Sequence, residues 1–352
     1  MTNSKNPTAR LLEWNRTMNA REMPWKGEKD PYRIWLSEII LQQTRVEQGR
    51  AYYERFITTY PTISALAKAP DDAVFKLWEG LGYYSRCRNL LFTARRVHSE
   101  FDGNFPSAYE DIISLKGVGA YTAAAIASFA FGLPHAVLDG NVFRVLSRYT
   151  GSAVPIDSTE GKKHFAALAE AWLDKKNPAE WNQAIMDFGA LVCTPKQPSC
   201  ETCPLNKDCV ASHTNTVAKL PVKSKQLVKR TRYLNYVAAS YNNGVYIRKR
   251  TDKDIWKDLH EFILIETDEP ISADELVRRV SLPGIEAIQA LPVVKHVLTH
   301  QTLHVQVVAA RLLRKPELED AYLYVPFNRL TEYAFPIVLK RFQEAKHFFL
   351  FT

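Results

Sequence analysis

Glycine and proline are scarce, at 14 and 19 of 352 residues, and the longest apolar stretch, Ala123 to Phe131, reaches only nine residues with Ser128 inside it. The first shortage excludes collagen-like and low-complexity chains; the second falls well short of the ~20 apolar residues that cross a bilayer, so no membrane association is expected. Residues Met1 to Lys26 mix Asn, Lys, Arg, Glu and Pro without the apolar core of a secretory signal, which leads us to expect a cytoplasmic protein. Acids are missing from one region altogether. Between Asp208 and Asp252 lie 43 residues with nine bases and no Asp or Glu. What is present is a globular composition: 46% hydrophobic, 24% charged, and a length beyond that at which a single core usually stops growing. Two or more domains are expected. Lys plus Arg number 46 against 38 acids, a net charge of +8 spread over both halves, so a polyanion is the natural partner, although solubility alone would produce the same sign.

The texture changes along the chain. Residues 8 to 192 read as successive helices: Asp71 and Asp72 cap one that runs to Trp78, Ser107 with Glu110 forms a capping box ahead of Ile112, and Pro31 suits a first helical turn. After about residue 228, Tyr233 to Ala239, Val245 to Arg250 and Glu261 to Glu266 are short β-rich runs, and Asn243-Gly244 is a hairpin signal. Ala273 to Val280 reads as a helix, Val293 to Val308 as a hairpin turning near His300 to His304, and Pro336 to His347 as a terminal helix. The expected architecture is a mainly α N-terminal half and an α+β C-terminal half, joined by an exposed basic linker at Pro221 to Arg230.

Four of the five cysteines, Cys193, Cys200, Cys203 and Cys209, fall in a C-x6-C-x2-C-x5-C run, while Cys87 stands alone as a core thiol. In a reducing compartment such clustering indicates metal binding rather than disulfides. Zinc and an iron–sulfur cluster both accept four thiolates, and spacing does not choose between them. Upstream, Leu115-Lys116-Gly117-Val118-Gly119-Ala120-Tyr121-Thr122-Ala123 lies between two helices. Glycines at i and i+2 let the backbone turn tightly and aim bare N–H groups of a helix start at an anion, so Gly117 and Gly119 are candidate phosphate contacts. A simple tight turn would look the same.

That hairpin, followed by Leu138-Asp139-Gly140-Asn141-Val142 and then by the cysteine run, resembles the helix-hairpin-helix DNA glycosylases of the endonuclease III type, whose four cysteines hold a [4Fe-4S] cluster. Further segments narrow the resemblance to the adenine DNA glycosylases of the MutY family, which remove adenine mispaired with 8-oxoguanine. These are Pro24-Trp25, Trp35 to Glu38, Leu41 to Thr44, Glu79 to Arg86, Asp139 to Val142 and Gly189 to Cys193. The match is dense over residues 10 to 225. It is fainter beyond, where Ile247 to Arg250 and His296 to His300 look like that family's Nudix-like domain.

The resemblance implies an iron–sulfur domain from residues 1-29 and 135-220, a six-helix barrel domain with the hairpin at 30-134, a linker at 221-230 and a Nudix-like lesion-recognition domain at 231-352. It implies a monomer acting on double-stranded DNA that carries A:8-oxoguanine or A:G mispairs, associated with the nucleoid when bound. No Nudix catalytic box is present, so the last domain is expected to read the opposite base rather than hydrolyse pyrophosphate.

Cleaving an N-glycosidic bond places positive charge on the sugar and negative charge on the leaving base, so an acid and a carboxylate are both needed. Glu38, with Ile34, Trp35 and Leu41 as helical neighbours, sits in an apolar setting that raises a carboxyl pKa and suits a general acid. By resemblance, Asp139 stabilises the oxocarbenium ion or traps it covalently, and Tyr121 and Asn141 orient it and the substrate. Superfamily members that also cut the strand carry a lysine where Tyr121 stands, so this chain is expected to be monofunctional. Gln43 and Tyr83, with Leu81 in the same loop, match residues that wedge into the duplex, and Gln183 matches one that reads the adenine edge. Thr299 and His300 stand in the lesion-reading hairpin as Leu298-Thr299-His300, where the family usually has Phe-Ser-His. The hydroxyl is kept and the aromatic lost.

Overall fold

The computed structural model describes residues 6–224 and 228–343. Contacts divide the chain into two compact units, one of residues 1–68 and 88–226 and the other of residues 69–87 and 227–352.

Helices dominate up to residue 191: α1 (Pro7–Thr17), α2 (Pro31–Leu41), α3 (Val46–Thr59), α4 (Ile63–Lys68), α5 (Asp71–Trp78), α6 (Ser85–Glu100), α7 (Tyr109–Ser114), α8 (Ala120–Phe131), α9 (Gly140–Thr150), α10 (Thr159–Trp172) and α11 (Pro178–Leu191), with a short α12 (Val210–His213) after the cysteines. In the first unit α2 packs on α3 and α8, and α11 on α1, α8 and α9. Leu11, Val145, Leu146, Phe165, Trp181, Ile185 and Phe188 fill a core between them. Pro31 does open α2, with the Asp30 side chain capping Tyr32 N–H. The capping box expected at Ser107 does not form. Helix α7 begins at Tyr109 with Ala108 as its cap and no side-chain hydrogen bond, so Ser107 lies one residue outside the position from which it could cap. Asp71 and Asp72 likewise stand inside the first turn of α5 behind Pro70, where they face the positive end of the helix without capping it.

The second unit is built on a mixed sheet of β1 (Arg230–Tyr241), β2 (Gly244–Lys249), β3 (His260–Glu261), β4 (Ile263–Thr267), β5 (Ile285–Ala290), β6 (Val294–Val297), β7 (Gln301–Leu312) and β8 (Tyr322–Pro326). Strand β1 runs parallel to β7 in register from Arg230↔Gln301 to Tyr241↔Leu312, and antiparallel to β2 and β4. It is buried almost continuously from Leu234 to Ser240, which is why it reads as an unbroken apolar run rather than an alternating one. Helix α13 (Ala273–Val280) forms where expected, and Leu276 packs against Val237, Val308 and Ala310.

Three expectations are corrected in this unit. The β1–β2 loop is Asn242-Asn243, with Asn242 taking the left-handed conformation at φ 48°, while Gly244 pairs with Tyr241 as the first residue of β2. An added Cβ on Gly244 would meet the Tyr324 ring at 2.5 Å, so another residue here would have to displace that ring. The turn between β6 and β7 falls at Leu298 to His300, so His304 lies inside β7 and stacks on Tyr233. From Pro336 onward the helical segment is α14 (Ile337–Lys340), and residues 344 to 347 of the expected helix lie outside the described residues. The start of the linker is held by Ser224, whose N–H and hydroxyl both donate to Asp157, and by Ile156 N–H donating to Val222 carbonyl. Cys87 is fully buried.

Candidate active site

Glu38 ends the apolar face of α2, beside Ile34 and Trp35, and is 8% exposed. Burial pushes its carboxyl up to about 7, the nearby Asp139 charge pushes the same way, and a hydrogen bond from Tyr121 opposes both. At neutral pH a large share of Glu38 is therefore protonated. Tyr121, in the first turn of α8, also reaches the Met186 sulfur at 3.5 Å, and burial together with the two carboxylates holds its phenol well above its ordinary range. It carries no charge and offers no amine.

Asp139 caps α9. Its Oδ1 accepts from the N–H groups of Asn141 and Val142, both at 2.8 Å, and its Oδ2 accepts from Asn141 Nδ2 at 2.8 Å. Burial pushes this carboxyl up, while those donors and the Arg144 guanidinium pull it down. Asn141 in turn accepts from Arg144 Nη2 at 2.8 Å, so orientation passes from Arg144 through Asn141 to the carboxylate.

A cavity of about 680 Å3 is lined by Glu38, Tyr121, Asp139, Asn141 and Gln183, with Trp25, Met186 and Asp187 among others. Its volume falls in the range of small-molecule sites. Gln183 lies one helical turn before Asp187 on α11 and donates Nε2 to Asp187 Oδ2 at 2.9 Å. Because a carboxylate only accepts, that bond fixes which end of the amide is nitrogen and leaves the carbonyl oxygen as the side chain's other polar atom.

Asp187 was not legible as a site residue in the sequence. It is completely buried and also takes Asn19 Nδ2 at 2.8 Å, Arg21 Nη1 at 2.7 Å and Lys26 Nζ at 3.4 Å. Its i+4 spacing from Gln183 was the available signal. Arg144 and Arg148, also i and i+4, were missed as well. Arg144 Nε donates to the Cys193 carbonyl at 2.7 Å and Nη2 to the Gly189 carbonyl at 2.6 Å. Arg148 reaches Cys193 Sγ at 3.5 Å, Thr194 O at 2.7 Å and Pro195 O at 2.9 Å. One helix thus carries Asp139 at its start and braces the cysteine loop further along.

Cys193, Cys200, Cys203 and Cys209 line one small cavity, and burial pushes the Cys203 thiol up to about 11. Among the described residues, no three His, Cys, Asp or Glu side chains are placed to hold a single metal ion.

The remaining candidates fall elsewhere. Gln43 is exposed just beyond α2 at φ 58°. Gly117 and Gly119 occupy the turn between α7 and α8 for different reasons: Gly117 is left-handed at φ 82° with Asn89 2.8 Å from where a Cβ would lie, whereas nothing stands within 4 Å of a Cβ on Gly119. In the second unit, Tyr83 is 44% exposed at φ 48°, and its hydroxyl meets Thr299 Oγ1 at 2.5 Å. The fold thus brings together two residues expected on separate domains. His300 is exposed beside Thr299. Leu81, expected with Tyr83 in the wedge loop, is turned into the core at 5% exposure, between Gly80 and Gly82, which are both left-handed.

Residues 36–173 match the model of the HhH-GPD superfamily of base excision DNA repair proteins, and residues 235–345 match the NUDIX domain. The chain is 35% identical over 295 residues to the adenine DNA glycosylase of Buchnera aphidicola subsp. Schizaphis graminum, covering 84% of each chain. It is 41% identical over 210 residues to that of Mus musculus, covering 57% of this chain and 41% of that one. Among solved structures, a thermostable thymine-DNA glycosylase superposes with a TM-score of 0.55 at 31% identity, over 59% of this chain and 95% of that one. An endonuclease III–DNA complex at 19% identity shares the fold, with a TM-score of 0.52. With a helical hairpin unit, a Nudix-like sheet and a Buchnera relative matched over 84% of its length, the chain belongs to the adenine DNA glycosylase family.

Proposed function

We propose that the protein hydrolyses the N-glycosidic bond of adenine mispaired with 8-oxoguanine or guanine in double-stranded DNA, as a monofunctional base excision repair enzyme. The observation that carries this reading is Glu38, buried and substantially protonated at neutral pH, sharing a cavity with a carboxylate, Asp139, that backbone and side-chain donors hold in place. An adenine flipped into the cavity takes a proton from Glu38 as the bond to C1′ weakens, and Asp139 stabilises the positive charge that develops on the sugar. The carbonyl oxygen of Gln183, left over by the bond to Asp187, suits an exocyclic amino group and disfavours a base with a carbonyl there. Tyr121 supplies no amine for a Schiff base, so the sugar–phosphate strand stays intact.

Gln43 and Tyr83, both exposed on left-handed backbone, suit insertion into the stack, and Thr299 with His300 suits reading of the opposite base. Gly119 has open space where a phosphate oxygen would approach the start of α8, and Gly117 makes the turn that exposes those N–H groups. The segments 1-29 with 135-220, 30-134 and 231-352 serve as cluster, barrel and reader portions of a monomeric enzyme that works in the cytoplasm on the nucleoid. No helix among the described residues is long and apolar enough to cross a membrane.

Cys193, Cys200, Cys203 and Cys209 would hold a [4Fe-4S] cluster. The four cysteines line one cavity and supply the four thiolates such a cluster takes, and the resemblance of the C-x6-C-x2-C-x5-C run to that of the endonuclease III type glycosylases favours it over zinc. The cluster would supply a covalent brace for the loop. Iron analysis of the purified protein is expected to give about four irons per chain, and one zinc without iron would refute the assignment.

The activity is tested by single-turnover assays on duplexes with A opposite 8-oxoguanine, A opposite G and T opposite G, with and without alkali. Adenine release is expected on the first two, with strand scission only after alkali. Release of thymine from the third, as the name of the thymine-DNA glycosylase neighbour describes for that enzyme, would overturn the reading.

A further inference from the structure

Glu79 precedes the Tyr83 loop and lies far from the cavity of Glu38 in sequence, yet with Glu261 it is one of two buried acids among the described residues of the second unit, with a side chain only 3% exposed. Three donors converge on it: Lys76 Nζ at 3.0 Å, Lys340 Nζ at 2.9 Å and Phe335 N–H at 2.9 Å. Lys76 Nζ also donates to the Tyr333 carbonyl at 3.0 Å. Charge-assisted bonds at a buried carboxylate are strong and directional. They tie the end of α5 to the segment around Tyr333 to Lys340.

The loop that follows is fixed along its length. Gly80 N–H donates to Tyr84 Oη at 3.1 Å, and Gly82 carbonyl accepts from Trp78 Nε1 at 3.1 Å and Arg86 Nη2 at 3.2 Å. Gly80 and Gly82 are left-handed at φ 92° and 78°, and Tyr83 pays the strain of φ 48° without a glycine's freedom. Such a conformation persists only where its surroundings over-determine it. At the tip, Tyr83 meets Thr299.

We propose that Glu79 is a positioning residue that anchors the Tyr83 loop to the C-terminal sheet unit, so that Tyr83 and Thr299 present themselves to DNA as one preassembled pair, and that preference for adenine opposite 8-oxoguanine depends on this anchor. The inference rests on the lesion preference proposed above. Glu79 touches no reacting atom. Its contribution is to keep a wedge carried by the helical segment in register with a hydroxyl carried by the β6–β7 turn.

Single-turnover rates on A:8-oxoguanine and A:G duplexes, together with amide hydrogen exchange of residues 80–84 and 333–335, are measured for Glu79→Gln and Lys340→Gln. For both variants the A:8-oxoguanine to A:G rate ratio is expected to fall about tenfold, within the range of site-to-site coupling, with the A:G rate held within about twofold and faster exchange in both segments. A purely structural role would lower both rates together and leave the ratio unchanged, which would overturn the inference, as would unchanged exchange. Should Glu79→Gln fail to fold, Lys340→Gln removes one donor from the exposed side and decides by the same two readouts. A wild-type enzyme without lesion preference would overturn the specificity reading and the second half of this inference with it, while exchange still decides the anchor.

Discussion

Glu38→Gln is expected to lower the single-turnover rate of adenine release by about two to four orders of magnitude, the range of a general acid. Glutamine keeps the shape of the side chain and can still accept from Tyr121, so the cavity survives while its proton donor is lost. The pH profile gives a second signature. Because burial raises Glu38 to about 7, the protonated and active form declines as pH rises through that value, and wild type loses activity on this limb. Glu38→Gln is expected to lack the limb. Stability moves with the same sign: the folded state binds the proton more tightly than the unfolded chain, whose value is near 4.5, so this stabilising contribution is complete below about pH 4.5 and is lost as pH rises through 7. Thermal unfolding should therefore show Glu38→Gln gaining on wild type at pH 8, by up to about 3 kcal/mol, and little difference at pH 4. A near-normal rate with the alkaline limb intact would show that another group supplies the proton.

Asp139→Asn is expected to cost about two to three orders of magnitude in the same assay while leaving affinity for mispaired duplex within a few-fold. The distinction matters because Asp139 has two roles. As cap of α9 it accepts from Asn141 and Val142 N–H, and asparagine caps a helix about as well as aspartate, so folding is kept. As a negative charge facing the sugar it has no neutral substitute. Equal melting temperatures with a collapsed rate would separate the two roles, and a rate close to wild type would remove Asp139 from the chemistry.

Local pattern carried far in this chain. Helix α13 runs over the expected residues because Ser272 and the apolar spacing of Leu276 and Val280 signal it within a few residues, and Pro31 marks the start of α2 for the same kind of reason. Where the pattern misled, the competing influence was close by. Ser107 had the right chemistry for a cap but the helix began one residue too late for it, and Gly244 advertised a turn while lying in β2 against the Tyr324 ring of β8. Leu81 shows the limit within a single loop, since it is buried while Tyr83, two residues on, is exposed.

The sequence by itself determined the residue types available for the chemistry: a glutamate on an apolar helix face, an aspartate at a helix start, a tyrosine in place of an amine, and four clustered thiols. These are properties of spacing and composition, visible in windows of a few turns. Only the tertiary structure decided that Glu38, Tyr121, Asp139 and Gln183, from four different helices, share one cavity, that Asp187 dictates the polarity of Gln183, and that Tyr83 meets Thr299 across 216 positions of chain. The reason is physical. A carboxyl's proton affinity and an amide's orientation are set by burial and by partners distant in sequence, and neither exists until the chain has closed around them.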